Sequence, residues 1–393
     1  MKKVIVFVTM ICLILTMTVG CSSGSKNSDV IKIGVFEPSS GDNGAGGKQE
    51  VLGIEYANSV VNTVEIGGKT YKVELEIVDN ESSTDKAPSA AATLVSAKSA
   101  VVLGSYGSGV SIAASDVFKN AGIPVIGVSC TNPQVTEGNT HYFRVCYLDP
   151  FQGTVLANFA VDQFSAKTAY ILTKLGDDYS VGLGNYFKTA FEALGGTVVE
   201  ESFQEGNSDF TAFFANAVKS NADVVFAPTS TEAASLIIGQ AASQGVTIPL
   251  LAGDTWDSSV ILDAAKGSSN EVSVSTFFDE GDNSAAGSAF VSGFKAWLNA
   301  DSKKLANNGG NDIVAAVSAL GYDAYMTALE AIKNADSSDS VKINEALWKV
   351  NYSGVTGNIA FNEEGDAIRD VAYIKRVNTA DGAWEFVAIQ SVK

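Results

Sequence analysis

Val101–Pro133 reads VVLGSYGSGVSIAASDVFKNAGIPVIGVSCTNP, and the order of its pieces decides the fold. Val101–Leu103 is a short apolar run suited to a buried strand. Gly104, Gly107 and Gly109 then let the backbone turn sharply and leave N–H groups open to an approaching ligand. Helical spacing resumes at Val110, Ala114, Val117 and Phe118, with Ser108 placed to cap that helix. The first N–H groups of a helix lack partners and carry the positive end of its dipole, so such a start attracts anions. A second strand, Pro124–Val128, stops at Ser129, Cys130 and Thr131, small residues that emerge beside the first loop. Strand, glycine loop, helix, strand is the unit of a parallel sheet, and the two loops together predict a receptor for a small molecule with an anionic group.

The same unit recurs along the chain. Ile31–Phe36 and Val73–Asp79 read as further strands, with helices near Lys48–Val61 and Lys86–Ala97 and a hairpin turn at Ile66–Lys69. After Asp149 and Pro150 the alternation restarts, with strands at Thr168–Leu172, Thr197–Phe203, Asp223–Ala227 and Pro249–Ala252. Helical patterns at Gln152–Phe164, Val181–Leu194, Phe210–Ser220 and Glu232–Ser243 separate them. This predicts an α/β protein with two parallel sheets, each covered on both faces. Helices at Ala285–Asn299 and Asp312–Asn334, then strands near Gly357–Phe361, Ala372–Arg376 and Glu385–Ser391, follow with no linker of their own. They complete the two lobes, so the chain crosses between lobes several times. Ligands of open α/β sheets sit beyond the carboxyl ends of the strands, which makes the interlobe cleft the expected site.

The 393 residues carry a formal net charge of −18, which disfavours nucleic acid and anionic membrane surfaces as partners. Lys2 and Lys3 precede the apolar stretch Val4–Val19, which meets Gly20 and Cys21. A basic start, an apolar middle and a small residue before the break make residues 1–20 a secretory signal, too short for a comfortable membrane span. A cysteine at that break resembles a bacterial lipoprotein signal, with Cys21 as the lipid-bearing residue and 21–29 as a polar tether; Thr18 departs from the usual leucine. The protein is therefore expected outside the cytoplasm, anchored to the cell membrane. Of the remaining cysteines, Cys130 and Cys146 either form a disulfide worth about 3 kcal/mol or stay as two buried thiols.

Other motifs are weaker. Gly41–Lys48 resembles a phosphate loop, but the lysine comes one residue late and Gln49 replaces Ser/Thr. It reads instead as a mobile loop at the cleft mouth. Cys130 and His141, the one histidine, lack a third group to orient them, and Thr140–Phe143 reads as an edge strand, so hydrolase chemistry is not expected. No metal-ligand spacing is present and no cofactor is expected. In Leu251–Ser258 (LAGDTWDS) a strand ends in a loop carrying Asp254 and Trp256 before the helical residues Val260–Ala265. Asp257 or Ser258 suits the cap of that helix. Asp254 is placed to receive a cationic amine, and Trp256 either belongs to the core or walls the pocket. Tyr179, after Asp177 and Asp178, can close over a ligand, with Asp178 or Ser180 as helix cap.

The mature chain resembles the substrate-binding lipoproteins of branched-chain amino acid ABC transporters, of the type I periplasmic-binding-protein fold. The resemblance rests on Gly34–Gly47 (GVFEPSSGDNGAGG), Val102–Asp116 (VLGSYGSGVSIAASD), Ser129–Thr136 (SCTNPQVT), Arg144–Gly153 (RVCYLDPFQG), Ala252–Ser258 (AGDTWDS) and Ala319–Tyr325 (ALGYDAY), in that order and spacing. It implies Rossmann-like lobes formed by 30–149 plus 279–354 and by 150–278 plus 355–393, with crossovers near Asp149, Phe278 and Val355. It further implies that an amino acid or related amide binds between them, its carboxylate at Gly107, Ser108 and the backbone around Cys130 and Thr131. Its ammonium would meet the Ser129 carbonyl, the Thr131 hydroxyl and Asp254, with Tyr179 closing from the other lobe. Membrane permease subunits are the implied partners; a sensor for a membrane signalling receptor is the alternative role. Gly46 and Ser230 stand where the family often has aromatic residues, so a roomier pocket is expected, open to ligands larger than leucine or valine.

Overall fold

Strand β1, Val30–Glu37, is half-buried at its start and wholly buried from Gly34 on, the pattern of a central strand covered on both faces. The computed structural model describes residues 29–391. The secretory segment and Cys21 lie outside the described residues.

The first half runs through α1 (Gly44–Val60), β2 (Thr63–Ile66), β3 (Lys69–Asp79), α2 (Ala87–Ser96), β4 (Val101–Leu103), α3 (Ser108–Ala121), β5 (Val125–Gly127) and β6 (Tyr142–Arg144). The second half begins with α4 (Asp149–Phe164), β7 (Thr168–Lys174), α5 (Asp178–Ala193), β8 (Thr197–Phe203), α6 (Thr211–Lys219) and β9 (Val224–Phe226). It continues with α7 (Thr231–Ser243), β10 (Leu250–Ala252), α8 (Ser259–Ala265) and β11 (Val272–Thr276). Then come α9 (Ala285–Asn299), α10 (Ser302–Asn307), α11 (Ala316–Ala335), α12 (Ser340–Leu347), the hairpin β12 (Asn351–Gly354) and β13 (Gly357–Ala360), and finally β14 (Ala372–Asn378) and β15 (Ala383–Gln390).

The strands form a six-stranded sheet, β2-β3-β1-β4-β5-β6, and a seven-stranded sheet, β15-β14-β11-β10-β9-β7-β8. Pairs β1–β4, β4–β5 and β5–β6 are parallel, as are β7–β8, β7–β9, β9–β10 and β10–β11. Antiparallel partners stand at the margins: β2 beside β3, and β14 between β11 and β15. The chain leaves the first sheet after β6, returns after β11 to lay α11 against α1, and comes back to the second sheet with β14. Helices α1 and α11 approach closely because Gly53 and Gly321 lack side chains; a Cβ at Gly53 would stand 2.0 Å from the Ser318 carbonyl oxygen.

Several local expectations change. Helix α1 starts at Gly44, so Gly44–Gly47 is helical and packed rather than a mobile loop. Gly107, not Ser108, is the N-cap of α3, and Ser108 is its first residue. Asp177 caps α5 by accepting from the Ser180 N–H at 2.8 Å, the role expected of Asp178 or Ser180. Ser258 precedes α8 without a side-chain capping bond, while Asp257 accepts from Lys375 at 3.2 Å and from the Thr276 hydroxyl at 2.7 Å. Cys130 and Cys146 are free, buried thiols, which removes the disulfide. Cys130 instead packs beside Val125, Val135 and Tyr142 in the core flanking β4 and β5.

Candidate functional site

Helix α3 begins directly after β4, so its first turn sits at the carboxyl edge of the first sheet. The first hydrogen bond of the turn runs from the Ser111 N–H to the Gly107 carbonyl, 3.1 Å. The N–H groups of Ser108, Gly109 and Val110 therefore have no intrahelical acceptor. Across from them the chain leaves β10 into a single 3-10 turn, Asp254–Trp256. A cavity lies between, lined by Gly107, Ser108, Gly109 and Ser129 from one side and by Tyr179, Asp254 and Thr255 from the other. It is small, with about 60 Å³ open to the centre of a water molecule.

Asp254 is 1% exposed, and burial pushes its carboxyl up to about 7. Its Oδ1 accepts from Gln152 Nε2 at 3.0 Å and from the Tyr179 hydroxyl at 3.2 Å. Gln152, Tyr179 and its own backbone offset part of that burial, and among the described residues no cation pairs with it. A carboxyl held by neutral donors in a water-poor cavity is ready to pair with an incoming ammonium. Gln152, in the first turn of α4, also donates to Ser275 Oγ at 2.8 Å, which fixes its amide.

Contacts between the two halves shut the cavity. The Tyr106 hydroxyl donates to the Thr255 carbonyl at 3.1 Å, and Asn132 Nδ2 donates to the Asp178 carbonyl at 2.7 Å. Lys174 pairs with Asp42 at 2.6 Å near the rim. The loop after β5 is held from behind by Arg144, which is wholly buried and donates to the carbonyls of Cys130 and Asn132, both at 2.7 Å, and to Asp366 at 2.6 Å.

Five of the residues expected at the site share this wall: Gly107, Ser108, Ser129, Tyr179 and Asp254. Three do not line it. Cys130 turns its thiol into the core, where burial pushes it up, and its carbonyl is taken by Arg144. Thr131 is wholly buried, with its hydroxyl directed at the buried carboxyl of Asp149. Trp256 is a core residue at 0% exposure, its indole N–H donating to Thr229 at 3.3 Å. Nor is the middle of the site roomy. The Tyr106 ring occupies the space over Gly46, where a Cβ would stand 2.2 Å from it, so no larger residue fits at 46.

Sequence reasoning missed Asn43, Ser82, Thr84, Tyr106, Asp177 and Thr255 as wall residues, and Gln152 as the donor to Asp254, while Ser230, expected near the pocket, does line it. It also missed Glu37 and Glu50, neighbouring buried carboxyls beneath the first-half loops. Burial pushes Glu50 up to about 8, and Glu37 well above the usual range. Glu37 accepts from the Tyr106 N–H at 2.7 Å, so it holds the loop that carries the wall.

A periplasmic binding protein family model matches residues 30–383. The chain belongs to that family. Among relatives of this periplasmic binding protein, the Leu/Ile/Val-binding protein homolog 1 of Brucella suis is 30% identical over 371 residues, 93% of this chain and 95% of that one. Among solved structures, a leucine-binding protein from Thermotoga maritima is 32% identical with a TM-score of 0.81, covering 92% of this chain and 99% of its own. The branched-chain amino acid transporter substrate-binding protein of Streptococcus pneumoniae, solved with isoleucine, is 26% identical with a TM-score of 0.80 and the same coverage. The protein is thus a type I periplasmic binding protein like those of branched-chain amino acids, in a family of solute-binding proteins rather than enzymes.

Proposed function

We propose that the protein captures a free amino acid or related zwitterion between its lobes and delivers it to the permease of an ABC importer. The observation that carries the reading is Asp254: a buried carboxyl without a cation, facing a helix start with unpaired N–H groups across a shut cavity. A zwitterion satisfies both ends at once, its ammonium on Asp254 and its carboxylate on the first turn of α3. Tyr179, already bonded to Asp254, closes over it from the second lobe. The relatives named for leucine, isoleucine and valine, and the transporter protein solved with isoleucine, support an amino acid as the class.

In this reading the lobes comprise 30–149 plus 279–354 and 150–278 plus 355–393, and they open about the passages near Asp149, Phe278 and Val355. Residues 1–20 are removed as a signal, and Cys21 carries the lipid that keeps the receptor at the membrane outside the cytoplasm. Intact-mass measurement of the protein from membranes checks the last point: a diacylglyceryl increment on Cys21 is expected, and an unmodified start contradicts it. The function itself is tested by calorimetric titration of the mature chain with the common L-amino acids. At least one is expected to bind, and heat from none of them overturns the reading.

A further inference from the structure

We infer that the ligand is a small amino acid with a hydrogen-bonding side chain, no larger than threonine, and not a leucine-sized apolar one; this rests on the zwitterion reading above. Once the groups assigned to the ammonium and carboxylate are set aside, the remaining wall consists chiefly of Asn43, Ser82, Thr84, Asp177, Ser230 and Tyr106. All of them bear hydrogen-bonding groups. The Asn43 amide oxygen has no hydrogen-bond partner, so a donor brought by the ligand repairs a deficit, whereas an apolar side chain leaves it in place. Asp177 spends one carboxyl oxygen on the cap of α5 and lines the cavity as well.

Size points the same way. A branched apolar side chain needs room and apolar walls, because burying it against hydroxyls and amides strips those groups of water without replacing it. The room is taken by Tyr106. Its ring lies against Gly46, and its hydroxyl is tied to the Thr255 carbonyl in the opposite half, so closure itself locks the ring in place. Glu37 fixes its backbone from below through the Tyr106 N–H. Tyr106 is therefore the residue that sets the side-chain limit, and Asn43 the one that selects for polarity.

Calorimetric titration of the mature chain with L-threonine, L-serine, L-leucine and L-isoleucine tests this. Threonine or serine is expected to bind at least tenfold tighter than leucine. Leucine binding as tightly or tighter overturns the inference and leaves the zwitterion reading standing; heat from none of the common amino acids removes both. In Tyr106→Ala the leucine-to-threonine affinity ratio is expected to rise tenfold or more, and an unchanged ratio contradicts the role given to Tyr106. Should that variant fail to fold, judged by circular dichroism, Asn43→Leu serves. Its threonine affinity is expected to fall at least tenfold with leucine gaining, and an unshifted ratio overturns the inference.

Discussion

The two halves of the site are built from different materials. The α3 turn offers backbone N–H groups at a helix start, with the small residues Gly107, Ser108, Gly109 and Ser129 around it. The opposite side consists of large side chains held by one another: Asp254 between Gln152 and Tyr179, with Gln152 braced on Ser275. Backbone donors do not titrate near neutral pH and change little with a side-chain substitution. A buried carboxyl is sensitive to both. The α3 turn is thus tolerant of substitution, and the Asp254 cluster is not.

This contrast orders the expected effects. Asp254→Ala removes the carboxyl offered to the ammonium and is expected to cost about 3 kcal/mol or more, over 100-fold in amino acid affinity by calorimetry. Retained affinity would mean that the amine sits elsewhere and the two halves are alike.

The ligand-free protein should also respond to pH. Asp254, Asp149 and Glu50 are pushed by burial from 3.8 or 4.5 up to about 7 or 8, so the folded state holds protons that the unfolded state has released. Stability is then full below about pH 4 as far as these groups are concerned and is lost as pH rises toward 8. Thermal melts are expected to fall between pH 5 and pH 8 without ligand; a rise over that window contradicts the assignment of these carboxyls.

Gln152→Ala strips Asp254 of one donor and should push its carboxyl still higher. The expected loss is about 1.5 kcal/mol, roughly tenfold, and larger at pH 6 than at pH 8. A loss equal at both pH values would show that Gln152 acts through packing alone. Ser108→Ala is the mildest change, since backbone N–H groups of the same turn remain, and less than about fivefold is expected by the same titration. A loss matching that of Asp254→Ala would erase the distinction between the halves.

Much of the fold was readable where hydrophobic period and length agree. The strand at Thr197–Phe203 and the helix at Ala285–Asn299 coincide with β8 and α9 to the residue. Strand β11 was missed because VSVST carries serines at buried positions, and β12 because NYSG has no apolar pattern. The charged end of the site was visible because Asp254 follows a strand too early to cap a helix. Its support was not: Gln152 and Asp254 are 102 residues apart and meet only through the folding of the second lobe. Tyr106 and Gly46 are a similar case. Each looks ordinary alone, and the missing side chain at 46 suggested empty space until the ring from the next loop was seen to fill it. Trp256 went the other way, an indole beside the site in sequence but pointed into the core by the 3-10 turn.

The most direct test of the central claim is proton release on binding. Burial pushes the Asp254 carboxyl up to about 7, and an ammonium beside it must stabilise the ionised form. The tightest-binding amino acid, titrated at pH 6 in buffers of different ionisation enthalpy, is expected to release close to one proton per ligand bound, with affinity rising toward pH 8. Asp254→Asn should abolish that release along with most of the affinity. Binding with no net proton release and no pH dependence would contradict the account, because the amine could not then be paired with Asp254.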